Sequence, residues 1–439
     1  MKRLLAEYGM IFVLILLVVL FSLLTLNRES AVDGAAADRL WRENAEKIAE
    51  AGDLFIIGAV NKKSAEFAEL LAARAKDRLA TVHLAIGNPV QVREIWDRKS
   101  QEFQGVPVVA VSGDVENWLL LDALKKEMPT LELVAPSEKM QSDFLKPSNL
   151  LAIVDRIVVI AVIAIGMTLV ILTGGIDLSV GSLIAFAAVV ATLVMKVLGG
   201  LAAPWWVVWA GFLIAILSCG LIGSVGGFLV AQFKVASFIT TLAIMMMARG
   251  FAFLMTGGFS IYQVPETLPW LGRGMTMGIP NTVILLVLLY VGAHLFMSHT
   301  RYGRYIYAVG GNEEAARLSG VPVKGILIFV YLVAGLCAGF GGCIQASQIG
   351  SGAPNLGKMF ELYVIAAVVV GGTSLSGGSG KILGTLIGAF IISVIQNGMN
   401  LLGFESYVQD VVLGGVILAA VLIDKARSSG NWRWEKAEA

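Results

Sequence analysis

Charge is what most of this 439-residue chain lacks. Of its 33 Lys and Arg and 32 Asp and Glu, 36 fall between Arg28 and Lys146. The other stretches are almost bare of ionisable side chains, as hydrocarbon requires. A charge at the bilayer centre costs about 2.5–3.5 kcal/mol on insertion scales. The net charge of +1 offers nothing to nucleic acid. Cysteine is scarce too. Cys219, Cys337 and Cys343 all lie in apolar runs with no C-x-x-C, which excludes a disulfide framework and a structural zinc site and leaves small packing residues. Of three histidines, His83 stands alone, and His294 and His299 are off a shared helical face with no acid or Cys beside them. No metal site and no cofactor is expected. A Walker A motif is also missing: Gly380-Lys381 is followed by Ile382.

What is abundant is apolar sequence. At 57% apolar residues and a mean hydropathy of +0.78, the chain exceeds the roughly 45–50% of soluble proteins and reads as an integral membrane protein. Lys2 and Arg3 precede an apolar run, Met10–Leu26, long enough to span the hydrocarbon. A cleaved signal peptide with Ala35-Ala36-Ala37 as its site is the rival reading, and a retained signal anchor the preferred one. Further spans are expected at Leu151–Leu172, Leu178–Leu198, Trp205–Ala231, Ala236–Met255, Thr282–Met297 and Ile326–Ile344. Leu362–Val370, which is short, Ile382–Leu402 and Val408–Ile423 complete the set. With the first helix this predicts about ten crossings and both termini in the cytoplasm. Lys234, the cations from Arg301 to Lys324, and Lys425, Arg427, Arg433 and Lys436 then all fall inside, as the positive-inside rule asks. Trp205, Trp206, Trp209 and Trp270 sit near span ends, where indoles favour the lipid interface.

The charged stretch alternates. Leu54–Val60, Thr81–Ile86, Val106–Val111 and Leu131–Val134 read as strands, separated by helical patterns at Ser64–Leu79, Val90–Phe103 and Val115–Glu127. A helix at Asp38–Ala51 leads in. This order predicts a small parallel sheet with covering helices. Asn61 and Ser64 stand where strand meets helix. That place binds ligands in many α/β sheets, and it also suits turn and cap residues. The fold class is therefore an all-α polytopic membrane protein with a small extracytoplasmic α/β insert after the first helix. The expected divisions are 1–27, 28–147, 148–425 and a cytoplasmic tail, 426–439.

Between two spans, RYGRYIYAVGGNEEAARLSGVPV (Arg301–Val323) is too polar and basic for lipid. Asn312 followed by Glu313 and Glu314 reads as a cap with acids at the positive end of a helix dipole. Ala315, Ala316, Arg317 and Leu318 continue that helix, and Ser319-Gly320 stop it. This stretch resembles the ATPase-coupling loop of ABC importer permeases of the ribose/xylose type. GMTLVILTGGIDLSVGS (Gly166–Ser182) and VVVGGTSLSGGSGKILGTLIGA (Val368–Ala389) resemble the same family, in the same order. The likeness covers Leu150 to Asp424 and the first helix, and not Arg28 to Pro147.

The resemblance implies the transmembrane subunit of an ATP-driven monosaccharide importer of the bacterial inner membrane. ATP hydrolysis would lie on a separate cytoplasmic ATPase chain. A second permease copy or close relative, an extracytoplasmic sugar-binding protein and membrane lipid would be its other partners. Leu375-Ser-Gly-Gly378 spells the start of an ATPase signature but reads as a Gly-rich loop. In Thr173–Gly181, Gly174 and Gly175 let the backbone break. Asp177 either caps the next helix near Ser179, ahead of Gly181, or touches substrate or a proton. Thr240, Thr241, Gln345, Gln348, Gln396, Asn397 and Asn400 are neutral polar residues in apolar surroundings. Each could be packing glue, and together they are the candidate pathway lining. The alternatives are an ABC permease for a branched-chain amino acid, a nucleoside or autoinducer-2, and a stand-alone secondary transporter. The scarcity of intramembrane carboxylates weighs against the last.

Overall fold

The computed structural model describes residues 2–77, 79, 81–103, 105 and 107–428. The expected tail cations Arg433 and Lys436, and Val106 at the start of an expected strand, lie outside the described residues. The chain divides into two compact units. One is Thr25–Leu145, and the other is formed by the residues before and after it.

The larger unit begins with α1 (Lys2–Leu24). The smaller unit then runs β1 (Leu26–Ser30), α2 (Gly34–Ala51), β2 (Asp53–Gly58), α3 (Lys62–Lys76) and β3 (Thr81–Ile86). It continues with α4 (Pro89–Lys99), β4 (Val108–Val111), α5 (Leu119–Glu127), β5 (Glu132–Val134) and β6 (Glu138–Ser142). Four strands form a parallel sheet in the order β3-β2-β4-β5. β2 is buried along its whole length, as a central strand covered on both faces must be. Its alternation sends Leu54 and Ile56 to a core with Leu40, Phe67 and Leu71. Phe55 and Ile57 go to a second core with Trp96, Leu121 and Leu124. Asp33, Asn61 and Asn88 cap α2, α3 and α4. Ser64 accepts from the Ala59 N–H at 2.7 Å, so Asn61 and Ser64 both work as turn and cap residues. β1 and β6 pair antiparallel, Leu26 opposite Ser142, which sets the two ends of the domain side by side. That ribbon is absent from the sequence expectations because its strands are polar and carry no period-two apolar signal.

The larger unit resumes with α6 (Pro147–Leu172), α7 (Val180–Val197), α8 (Trp205–Phe233), α9 (Ser237–Thr256) and the short α10 (Pro269–Arg273). After the small hairpin β7–β8 (Met275–Thr276, Ile279–Pro280) come α11 (Asn281–His299), α12 (Arg301–Gly311) and α13 (Glu313–Leu318). α14 (Val323–Ile349), α15 (Phe360–Val370), α16 (Ile382–Leu401) and α17 (Ser406–Ser428) complete it. Among the described residues seven helices are long and apolar enough to cross a membrane: α6, α7, α8, α9, α11, α14 and α16. Of the ten expected crossings, the other three fall on shorter apolar stretches, Gly9–Leu24 in α1, Phe360–Val370 (α15) and Ser406–Leu422 in α17.

α15 is short for a visible reason. The chain before it, from Gly350 to Met359, is irregular yet buried at Ser351, Gly352 and Ala353. The Arg249 guanidinium of α9 donates to the carbonyls of Pro354 and Leu356, at 3.1 and 2.6 Å. Non-helical backbone is tolerated in a membrane domain only where protein or a cavity satisfies it in this way. α14 lies at the centre, against α6, α7 and α8. Its glycines touch those of α8: a Cβ on Gly223 would strike the Tyr331 carbonyl, and one on Gly335 the Cys219 carbonyl. These glycines therefore pack helices within this chain.

Candidate functional site

Two places in the larger unit concentrate chemistry. The first is built from α12, α13 and two irregular stretches. Thr300 caps α12 by accepting from the Gly303 N–H at 3.2 Å. Asn312 caps α13, its side chain accepting from the Ala315 N–H at 2.9 Å. Arg317 pairs with Glu314 at 2.5 Å, and Glu313 lies 3.9 Å from Lys234 at the end of α8. Ala316 is buried, Leu318 is 80% exposed, and Gly320 takes the left-handed conformation, φ 85°, that ends the turn. The outer face of α13 is thus charged groups beside one bare leucine.

Behind it, the Tyr307 hydroxyl donates to the Gly380 carbonyl at 2.8 Å, and half-burial raises its pKa, which keeps it a donor. The Gly378 N–H donates to the Leu172 carbonyl at 2.9 Å, and Gly310 has no room for a Cβ against that same carbonyl. Thr168 and Thr385 share a hydroxyl hydrogen bond of 2.8 Å. The three motif stretches, far apart in sequence, therefore meet at one end of the helix bundle.

The Thr173–Ser179 break is held from α9. The Ile176 N–H donates to the Ser237 hydroxyl at 3.2 Å and the Leu178 N–H to the Thr241 hydroxyl at 3.1 Å. Asp177, 1% exposed, accepts from the Ser179 N–H and hydroxyl at 2.8 and 2.6 Å. Gly174 has φ 76°, and a Cβ on Gly175 would lie 2.6 Å from the Tyr331 hydroxyl. Gly181 is tighter still, since a Cβ there would collide with the Glu361 carboxylate.

The second place is a cavity of about 540 Å³ between α6, α10, α14, α15, α16 and α17. Gln345, Gln348, Gln396 and Asn400 line it. Thr240, Thr241 and Asn397 do not. Thr240 bonds the Ala236 carbonyl at 3.4 Å, Thr241 holds the break just described, and the Asn397 amide donates to Asn149 at 2.9 Å. The cavity also brings in Asp155, Arg156, Arg273 and Asp410, with Phe360 and Tyr363. The signal for Asp155-Arg156 was available in the sequence, as a charged pair two turns into an apolar helix. Arg273 gave none, because its place depends on α10 folding back onto α14. There the Gly272 N–H donates to the Ser347 hydroxyl at 2.7 Å, and Arg273 donates to the Gln348 carbonyl. From Asp155 at the cavity to Leu172 beside α12 is about 25 Å along α6 at 1.5 Å per residue, so the two places lie at opposite ends of the bundle. A recess of similar size, about 570 Å³, is lined mainly by apolar groups, Trp205, Trp209 and Trp270 among them, with Glu266 and Arg273 also in its wall. No metal-ligating cluster occurs among the described residues.

A family profile described as branched-chain amino acid transport system / permease component matches residues 149–421. The chain belongs to this family. Among relatives of the permease, the ribose import permease protein of Escherichia coli (strain K12) is 42% identical over 316 residues, 71% of this chain and 95% of the relative. That of Bacillus subtilis (strain 168) is 41% identical over 293 residues, 66% and 88% of the two chains. The L-arabinose ABC transporter permease protein of Azospirillum brasilense is 35% identical over 310 residues, 71% and 89%. No solved structure matches the permease. The family match begins after the α/β unit, so Thr25–Leu145 lies outside the part that defines the family.

Proposed function

We propose that this permease component is the membrane subunit of an ATP-driven importer that carries a monosaccharide of the ribose or arabinose kind across the bacterial inner membrane. The observation that carries this is the convergence of the three motif stretches on α12 and α13, together with relatives that are ribose and L-arabinose permeases. α13 is the ATPase-docking helix, with Glu313, Glu314 and Arg317 as polar contacts and Leu318 as the apolar one. The ATPase is a separate chain. A second permease subunit completes the translocator, and an extracytoplasmic protein delivers the sugar.

The topology is ten crossings with both termini in the cytoplasm. α1, α15 and α17 count as crossings although their apolar stretches are the shorter ones, and residues 28–147 are outside. The cavity then opens outward and α13 inward, at the two ends of α6. The pathway runs from Gln345, Gln348, Gln396 and Asn400 toward the Asp177 break. Closure of the ATPases moves α13, and through the Leu172, Gly310 and Gly378 contacts that movement reaches the α6–α7 break. The test is uptake of labelled ribose and L-arabinose into proteoliposomes holding the permease, its ATPase and its delivery protein. Uptake that requires ATP inside the ATPase compartment is the expected result. Uptake driven by an ion gradient without ATP would make the chain a secondary transporter.

A further inference from the structure

The cavity between α6, α14 and α16 is graded. Its charged groups stand at or near the open rim. Arg156, Arg273 and Asp410 are exposed, Asp155 is partly so, and the two signs balance. Arg273 is already engaged with the Gln348 carbonyl, and Asp410 is 3.5 Å from the Tyr363 hydroxyl. The buried end is neutral. Its lining includes Val159 and Ile160, and its most buried polar side chain is Gln396, 5% exposed. Gln345, which shares that lining, has a buried Oε1 with no partner among the described residues. Protein interiors rarely leave such groups unmet, and each specific case asks for an explanation.

A primary amide offers two N–H donors and a carbonyl acceptor within one plane. Two of them in the lining of a single space match a ligand whose every group both donates and accepts. Adjacent hydroxyls do this. A carboxylate or an ammonium does not, because the floor would leave its charge unpaired between amides and aliphatic side chains. At about 540 Å³ the space falls within the roughly 300–1,000 Å³ range of small-molecule sites.

We infer that Gln345 and Gln396 form a hydroxyl-reading subsite at the floor of this cavity, which accepts a neutral polyol from the delivery protein and rejects charged solutes of the same size. The inference rests on the importer reading above, and it assigns these two amides as the selecting residues. The rim charges serve as a polar mouth. Because the delivery protein presents the sugar, the amides act on transfer into the membrane rather than on capture from solution.

The experiment uses the full permease with its ATPase and delivery protein in proteoliposomes. Labelled ribose and L-arabinose are the probes, and Gln345→Leu and Gln396→Leu the variants. The maximal uptake rate is expected to fall roughly tenfold or more in each variant, the loss of one well-made hydrogen bond to the moving solute. The half-saturating sugar concentration stays within about twofold of wild type, and Gln396→Asn recovers part of the rate. A second measurement does not depend on turnover. Gln396→Cys is treated with a small methanethiosulfonate reagent, with and without ribose and L-arabinose. Labelling from the outer face, slowed roughly threefold or more by a transported sugar, is the expected result. Wild-type liposomes that move neither sugar would overturn the importer reading and the subsite with it. Wild-type uptake alongside unchanged maximal rates in both leucine variants would overturn the subsite alone. So would labelling of Gln396→Cys that is absent or indifferent to sugar.

Discussion

At the residue scale, side chains that looked alike in sequence separate by what they touch. Thr241 and Gln396 are both neutral polar residues in apolar helices. Thr241 is spent on backbone, accepting from Leu178 and bridging to Ile176, whereas Gln396 lines a cavity. Thr241→Val is therefore expected to destabilise the permease by about 1–3 kcal/mol, the cost of a partly buried N–H left unpaired. Thr241→Ser should recover most of it. Thermal unfolding of the detergent-solubilised chain reads this, and a valine variant as stable as wild type would refute the role. Sequence pattern could name both residues because polarity inside an apolar run is visible in one dimension. It could not sort them, since the partner of Thr241 is a break 65 residues away in the chain. Asp177 was more legible. A carboxylate two residues before Ser179, at the head of an apolar run, has the form of a local turn, and its bonds to the Ser179 N–H and hydroxyl are local.

At the scale of elements, α13 and the α8–α14 contact carry opposite kinds of information. α13 is six residues long, too short to persist by propensity, so it depends on its cap and its anchorage. Asn312 supplies the cap through the Ala315 N–H. Glu314 and Ala315 stand in the first turn, where proline is tolerated, so the substitution that breaks the helix is Ala316→Pro, which deletes the N–H that donates to the Asn312 carbonyl at 3.0 Å. Ala316→Pro is expected to abolish ATP-driven uptake while the chain still inserts at wild-type level in membrane fractions. Asn312→Ala should weaken the helix by about 0.5–2 kcal/mol and lower uptake less severely. The cap, the acids and Gly320 were all readable in order along the chain. The α8–α14 contact was readable only as a composition of glycines, since which helix each glycine faces is decided in space. Gly335→Val drives a Cβ into the Cys219 carbonyl oxygen, with two methyl groups still to place. A loss of about 1–3 kcal/mol or more is expected from such overpacking, seen as aggregation on size-exclusion chromatography or a lowered melting temperature. Unchanged behaviour would mean that α8 and α14 are not in contact.

At the scale of the whole molecule, the chain is a permease helix bundle with an α/β domain set between its first helix and the rest. The domain's strands and helices were legible because burial on both faces of β2 and helical spacing in α3 leave strong periodic signals. Its closing ribbon was not, for lack of any. The bundle's helices were legible from hydropathy, but α15 shows where that reading stops. Its eleven residues follow a buried irregular segment clamped by Arg249, and no hydropathy window reports a clamp. The central claim is that α13 exists to receive an ATPase. The most direct test is gentle purification of the chain from its native membrane, with mass spectrometry of what accompanies it, repeated with Ala316→Pro. A co-purifying chain that carries both a Walker A motif and a complete ABC signature, and is lost from the proline variant, is the expected result. Wild-type chain that emerges alone, repeatedly and in high yield, would contradict the account and leave α13 an ordinary loop helix.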